Sequence, residues 1–188
     1  MTQPLAEAPS GVMTREEYYA WALAQPRGRF ERVDGRVVAM APERVEHLRV
    51  KAAVWLALRD AIAAAGVPCE ALPDGATVQV RDDTDYEPDA VVTCGDRVPD
   101  DAIAVANPVV VVEVSSPSTR ATDNGAKLAD YFLLPSVRHY LIVRANRRAV
   151  IHHRRADDGG VETRIVASGP ITLDPPGLVV QVEAFYAD

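Results

Sequence analysis

Apolar residues recur at helical spacing through residues 43–65, ERVEHLRVKAAVWLALRDAIAAA, with Val50, Val54, Leu58 and Ile62 on one face beside Ala57 and Ala61. The pattern predicts the longest helix of the chain, stopped at Gly66, a residue suited to a left-handed cap. Upstream, TREEYYAWALAQ (14–25) carries Thr14 and, three residues on, Glu17. That is a capping-box pattern, and it predicts a short helix. Between these helices, RFERVDGRVVAMA (29–41) reads as two short strands about Asp34-Gly35, a strong hairpin signal.

Beyond Gly66 the periodicity shortens to that of strands. ATVQVR (76–81) alternates, and DAVVTC (89–94) and PVVVVEVS (108–115) read as strands separated by an acidic, proline-bearing loop. The run Val109–Val112 is apolar at every position, as expected of a strand covered on both faces. TDNGAKLADYFLL (122–134) predicts a further helix, ended by Pro135. HYLIVRA, RRAVIHHR, VETRIVAS and LVVQVEAFY (178–186) supply the closing strands. Helix, strands, helix, strands in that order predict a mixed α/β (α+β) fold with one central mixed sheet flanked by helices. The first twelve residues read as a flexible tail and 13–188 as a single domain.

One residue in this pattern is out of place. Glu113 ends the valine strand, and a buried carboxylate without a partner is costly. Asp89 begins the preceding strand. If the two strands pair antiparallel, the start of one lies beside the end of the other, with opposed Cβ atoms about 5 Å apart. Two carboxylates that close repel, and one is driven to keep its proton. A divalent cation with hard oxygen ligands removes the conflict, which makes Asp89 and Glu113 candidate ligands of Mg2+ or Mn2+.

The same three stretches, RFERVDGRVVAMAPERVEHLRV, EPDAVV and VVVVEVSSPSTRATDNGAKLADYFLLPSVRHYLIV, occur in that order. Together they resemble the PD-(D/E)xK nuclease superfamily and, within it, the Uma-type restriction endonuclease domains, over roughly residues 13–186. The resemblance implies a restriction-endonuclease-like core, a DNA substrate, metal ligation by Asp89, Glu113 and the Val114 carbonyl, and a plausible homodimer. In the superfamily pattern a lysine stands two residues after the acid, where this chain has Ser115. In the Uma-type pattern the lysine comes from the next helix, and Lys127 matches it, in a position to orient the attacking water and offset charge on phosphorus. Glu31 and His47 match other recurrent positions and are expected to assist. Arg144 stands where the family pattern leads one to expect an acid.

Plainer readings compete at each position. Asp89, after Pro88, is a common turn residue; Glu113 could be paired with an arginine; Lys127 could form an exposed pair with Asp123, four residues before it. Ser115, Ser116 and Ser118 lie in neither a GxSxG nor an SxxK motif and are read as strand exit and helix start. Adjacent His152 and His153 point to opposite faces of a strand and cannot chelate one ion together. His139 reads as structural, Arg154 and Arg155 as a solvated face, Trp55 and Tyr131 as packing.

Composition changes the picture in two ways. The net charge of −7 argues against a protein that simply coats phosphates. It favours as rivals a catalytically inactive nuclease-fold binding module, or a phosphoesterase acting on small nucleotides. Yet residues 138–155 hold six arginines and three of the four histidines, one basic stretch in an acidic chain. Cys69 and Cys94 form no metal-binding cluster and are expected to be reduced and half-buried. No apolar run approaches the roughly 20 residues that cross a bilayer, and no secretory leader is visible, so a cytoplasmic location is expected.

Overall fold

The computed structural model describes residues 9–115 and 123–187, with side chains of the second stretch from Gly125 onward. In chain order the elements are α1 (Arg15–Leu23), β1 (Phe30–Val33), β2 (Arg36–Ala39), α2 (Val45–Ala65), β3 (Cys69–Pro73), β4 (Val78–Arg81), β5 (Thr84–Tyr86), β6 (Ala90–Cys94), β7 (Pro108–Ser115), α3 (Asp123–Tyr131), β8 (His139–Arg144), β9 (Val150–Arg155), β10 (Val161–Val166), β11 (Pro170–Leu173) and β12 (Leu178–Gln181). A 3-10 turn, Val182–Tyr186, follows. Residues 1–8 of the expected tail, together with Ser116, Ser118 and the Asp123 side chain, lie outside the described residues.

Local chemistry sets most of these boundaries. The Thr14 hydroxyl accepts from the Glu17 N–H while the Glu17 carboxylate accepts from the Thr14 N–H, closing the capping box of α1. Asp34 and Gly35 both adopt positive φ, 50° and 74°. That is the backbone of a primed turn, whose twist matches the two strands it joins. Gly66 ends α2 at φ 64°, its N–H bonded to the Ile62 carbonyl.

The centre is a six-stranded mixed sheet of order β10-β9-β8-β7-β6-β3. β6 and β7 pair antiparallel, Ala90 opposite Val112, while β7 and β8 run parallel. Val110, Val112 and Val114 of β7 pack with Val50, Val54 and Leu58 of α2 and with the β11–β12 hairpin on one face. Val111 packs on the other face with Tyr131, Tyr140 and the strands of a four-stranded sheet, β2-β1-β5-β4. β7 is therefore covered on both sides, as its unbroken valines require. β3, β5 and β11 are strands that the apolar pattern did not announce, and residues 182–186 turn rather than extend.

Two expectations are corrected here. Cys69 and Cys94 are not reduced: they form a disulfide, because the pairing of β3 with β6 sets them directly opposite one another. Arg155 is not a solvated face. Its guanidinium donates to the Val137, Phe132 and Leu134 carbonyls and lies over the Phe132 ring, tying β9 to the segment after α3. Arg154 does remain exposed, beside Glu162.

His139 and His152 are structural, and they carry a pH dependence. His139 Nε2 lies 3.0 Å from the Pro175 carbonyl, which can only accept, so that nitrogen holds the proton. His139 Nδ1 then accepts from His152 Nε2 at 2.9 Å. Burial pushes both imidazoles down to about 4. Below pH 6.5 the unfolded chain protonates them first, so their contribution to stability is lost as pH falls from about 6.5 towards 4. In His152→Gln, which keeps an N–H donor but does not titrate, the stability deficit relative to wild type is expected to shrink by up to about 1.4 kcal/mol per pH unit over that window. Urea unfolding at stepped pH measures it, and a deficit that is flat with pH refutes the assignment.

Candidate active site

The site forms where β7 ends and β6 begins. The Asp89 N–H donates to the Val112 carbonyl at 3.0 Å, continuing the β6–β7 ladder one residue past β6. Asp89 Oδ2 in turn accepts from the Val114 N–H at 2.5 Å. The antiparallel register thus brings Asp89 to Glu113, as the sequence pattern anticipated. Backbone groups alternate sides along a strand, so the Val114 carbonyl points to the β6 side, as its N–H does.

Glu113 projects toward α3. Its Oε1 accepts from Lys127 Nζ at 3.0 Å and from the Tyr131 hydroxyl at 2.8 Å. Lys127 Nζ also donates to Glu31 Oε1 of β1 at 2.9 Å, and lies 4.8 Å from the centre of the Tyr86 ring. Glu31 accepts in addition from the Glu87 N–H at 3.0 Å. Lys127 is only 5% exposed, so the reading of an exposed surface pair does not describe it. Glu113 is paired with a lysine, not an arginine. Arg144 donates to Ser115 Oγ at 2.8 Å at the exit of β7.

From the opposite face of the sheet, α2 delivers a second cation. Lys51 Nζ lies 2.7 Å from Asp89 Oδ1, 2.7 Å from Glu43 and 2.5 Å from Asp74. His47 Nε2 is 3.7 Å from Asp89 Oδ2. Arg29 completes the network, reaching Asp74 at 2.7 Å and Glu87 at 3.1 Å. Among the described residues, six carboxylates, Glu31, Glu43, Asp74, Glu87, Asp89 and Glu113, thus share three cationic side chains, Arg29, Lys51 and Lys127.

This imbalance splits the two central acids. Burial pushes the Glu113 carboxyl up, Lys127 pulls against it, and the Asp89 and Glu31 charges add to the rise, leaving it at about 7. Burial also acts against the Asp89 carboxylate, but the His47 and Lys51 contacts and the Val114 N–H outweigh it and hold Asp89 below its ordinary range. Burial acts against charge on Lys51 as well, and its carboxylate partners reverse that and keep the ammonium charged. One acid poised near neutrality beside one firmly ionised is a hallmark of functional sites.

The family model Uma2, described as "Putative restriction endonuclease", matches residues 15–184. The chain belongs to the Uma2 family. A relative from Synechocystis sp., described as "Uncharacterized protein slr1290", is 30% identical over 181 residues, covering 95% of this chain and 94% of its own length. A crystal structure described as a putative nuclease belonging to DUF820, from Anabaena variabilis, superposes with a TM-score of 0.73 at 14% identity, over 93% of this chain and 97% of that one. The fold of this Uma2 protein is therefore nuclease-like. Among the described residues no helix is long and apolar enough to cross a membrane.

Sequence reasoning missed Lys51, Glu43, Asp74 and Arg29. One signal was available: Glu43, His47 and Lys51 follow one another at i, i+4 and i+8, a polar stripe beside the apolar face of α2. Tyr131 was read as packing. It is fully buried, but its hydroxyl also fixes Glu113.

Removing the buried ammonium exposes the energetics. Lys127→Met leaves Glu31 and Glu113 uncompensated and is expected to cost about 3–5 kcal/mol at pH 8. Glu113 takes up a proton below about pH 7, so the cost should fall markedly at pH 5.5. Urea unfolding of both proteins at the two pH values checks this; an equal cost at both would show that Glu113 does not respond to Lys127.

Proposed function

We propose that this Uma2 protein is a Mg2+- or Mn2+-dependent endonuclease that hydrolyses DNA phosphodiester bonds at the Asp89–Glu113 pair. One observation carries the reading. The lysine absent from the strand position held by Ser115 is restored in space by Lys127, whose Nζ stands 3.0 Å from Glu113. Acid and lysine thus meet as the superfamily pattern requires, although they come from different elements.

The donor set fits a hard divalent cation. Asp89 and Glu113 offer carboxylate oxygens and Val114 a carbonyl, with the rest of the shell left to water and phosphate. Burial is the main reason the Glu113 carboxyl is raised, with the Asp89 and Glu31 charges adding to it; a cation bound there would offset both. When bound, the ion supplies Lewis-acid polarisation of the phosphate and acidifies a water. The chain's own residues do the rest. Glu31 and Glu113 hold the Lys127 side chain in place, so that it orients the nucleophile and offsets charge building on the phosphoryl oxygens. The Tyr131 hydroxyl, 2.8 Å from Glu113 Oε1, fixes that oxygen beside Lys127.

The Asp89→Ala/Glu113→Ala double variant is expected to lose cleavage of plasmid DNA in Mg2+ or Mn2+, and cleavage at the wild-type rate would remove the proposal. Calorimetry adds a readout independent of turnover. Mn2+ should bind the wild type and bind Glu113→Ala far more weakly. Because the free Glu113 carboxyl is raised to about 7, binding at pH 6.5 should release a proton and give an enthalpy that varies with the buffer's ionisation heat. At pH 8.5 that variation should vanish.

The −7 net charge favours one second reading, a phosphoesterase on small nucleotides, since an acidic surface repels duplex DNA more than a short substrate. Hydrolysis of a dinucleotide without plasmid cleavage would select it. Mn2+ binding with neither activity would select the inactive binding module.

A further inference from the structure

We propose that Lys51 is a tethered cation occupying a second ion seat beside the Asp89–Glu113 pair, so that the site works with one divalent ion and one built-in ammonium. The inference rests on the endonuclease reading for its meaning. Its evidence lies in Lys51, Glu43, His47 and Asp74, which that reading does not use, and in their contacts with Asp89, which it does.

Lys51 is 5% exposed, and its Nζ contacts three carboxylates, Glu43, Asp74 and Asp89, at 2.5–2.7 Å. A single acid would satisfy a lysine. Three convergent acids are the surroundings of a more highly charged cation. His47 adds a nitrogen donor: one ligand atom each from Glu43, His47 and Asp89 lie within 4.8 Å of one another, a spacing that one ion can draw together. Glu43, His47 and Lys51 share one face of the α2 region, and Lys51 reaches back into the seat the first two frame.

The two lysines flank the acids from opposite sides. Lys127 comes from α3, packed on one face of the central sheet, and Lys51 from α2 on the other. In two-metal hydrolases a second ion clamps the oxygen opposite the first. Here a fixed ammonium supplies positive charge at that place, needs no ion to be recruited, and cannot dissociate. The imidazole of His47 makes the seat beneath it one that Mn2+ fills more readily than Mg2+, because nitrogen ligands suit the later metal.

The test counts ions on the full chain with Mn2+ as the probe, by calorimetry and by electron paramagnetic resonance of free Mn2+. Lys51→Met is expected to bind one more Mn2+ per chain than the wild type. Adding His47→Ala to Lys51→Met should abolish the extra ion, whereas adding Glu113→Ala should spare it. Equal stoichiometry in Lys51→Met and wild type would overturn the proposal, as would an extra ion that survives His47→Ala. If Lys51→Met folds only with Mn2+, followed by circular dichroism, that dependence supports the seat; a chain left unfolded at saturating Mn2+ counts against it. The readout is the difference between variant and wild type, so a wild type that binds no Mn2+ sinks the endonuclease reading and leaves this one to be judged on the gained ion.

Discussion

The Lys127 ammonium lies between two buried carboxylates, Glu31 of β1 and Glu113 of β7, while its own backbone belongs to α3. Each of the three groups would be costly to bury alone, and none reaches bulk water easily. The contact therefore fixes the position of α3 against the central sheet and of the β1–β2 hairpin against both. Tyr86 and Tyr131 close around it, one ring beneath the ammonium and one hydroxyl on Glu113. The poised Glu113 carboxyl takes its character from burial and from this arrangement, whereas Asp89 is held by His47, Lys51 and the Val114 N–H.

The wider network follows from the same constraint. Among the described residues around the end of β7, acids outnumber cationic side chains, and the two central acids respond differently. Asp89, given the Val114 N–H, Lys51 and His47, stays ionised. Glu113 rises chiefly through burial, which its shared lysine and tyrosine do not offset, and Glu87 beside Arg29 rises for the same reason. Two carboxylates with divergent acidities, one on each of two paired strands, are what a hydrolytic metal site uses. The sheet that carries them is walled by α2 on one face and α3 on the other, so each helix can contribute a lysine without distorting a strand.

Much of this was legible along the chain. The valine run of β7, the Asp34-Gly35 turn, the capping box at Thr14 and the Gly66 stop are local signals, and each appears in the fold because neighbouring residues alone decide it. The adjacency of Asp89 and Glu113 was also legible, because an antiparallel ladder maps the start of one strand onto the end of the next. What escaped was contact between residues far apart in sequence with no shared period. Lys51 is one residue of an apolar helix until the fold brings Asp74 and Asp89 to it. The Cys69–Cys94 disulfide depends on a β3 strand whose residues do not alternate, and Arg155 reads as surface until three carbonyls from the segment after α3 surround it.

The sequence by itself determined the helices and most of the strands, their order, the family and the pair of acids at the end of a buried strand, since periodicity, turn chemistry and motif spacing are properties of the chain. Only the tertiary structure decided which cation answers which acid. Salt links across a sheet form wherever packing leaves a charged group without water, and that depends on the distances between faces, which no local pattern encodes.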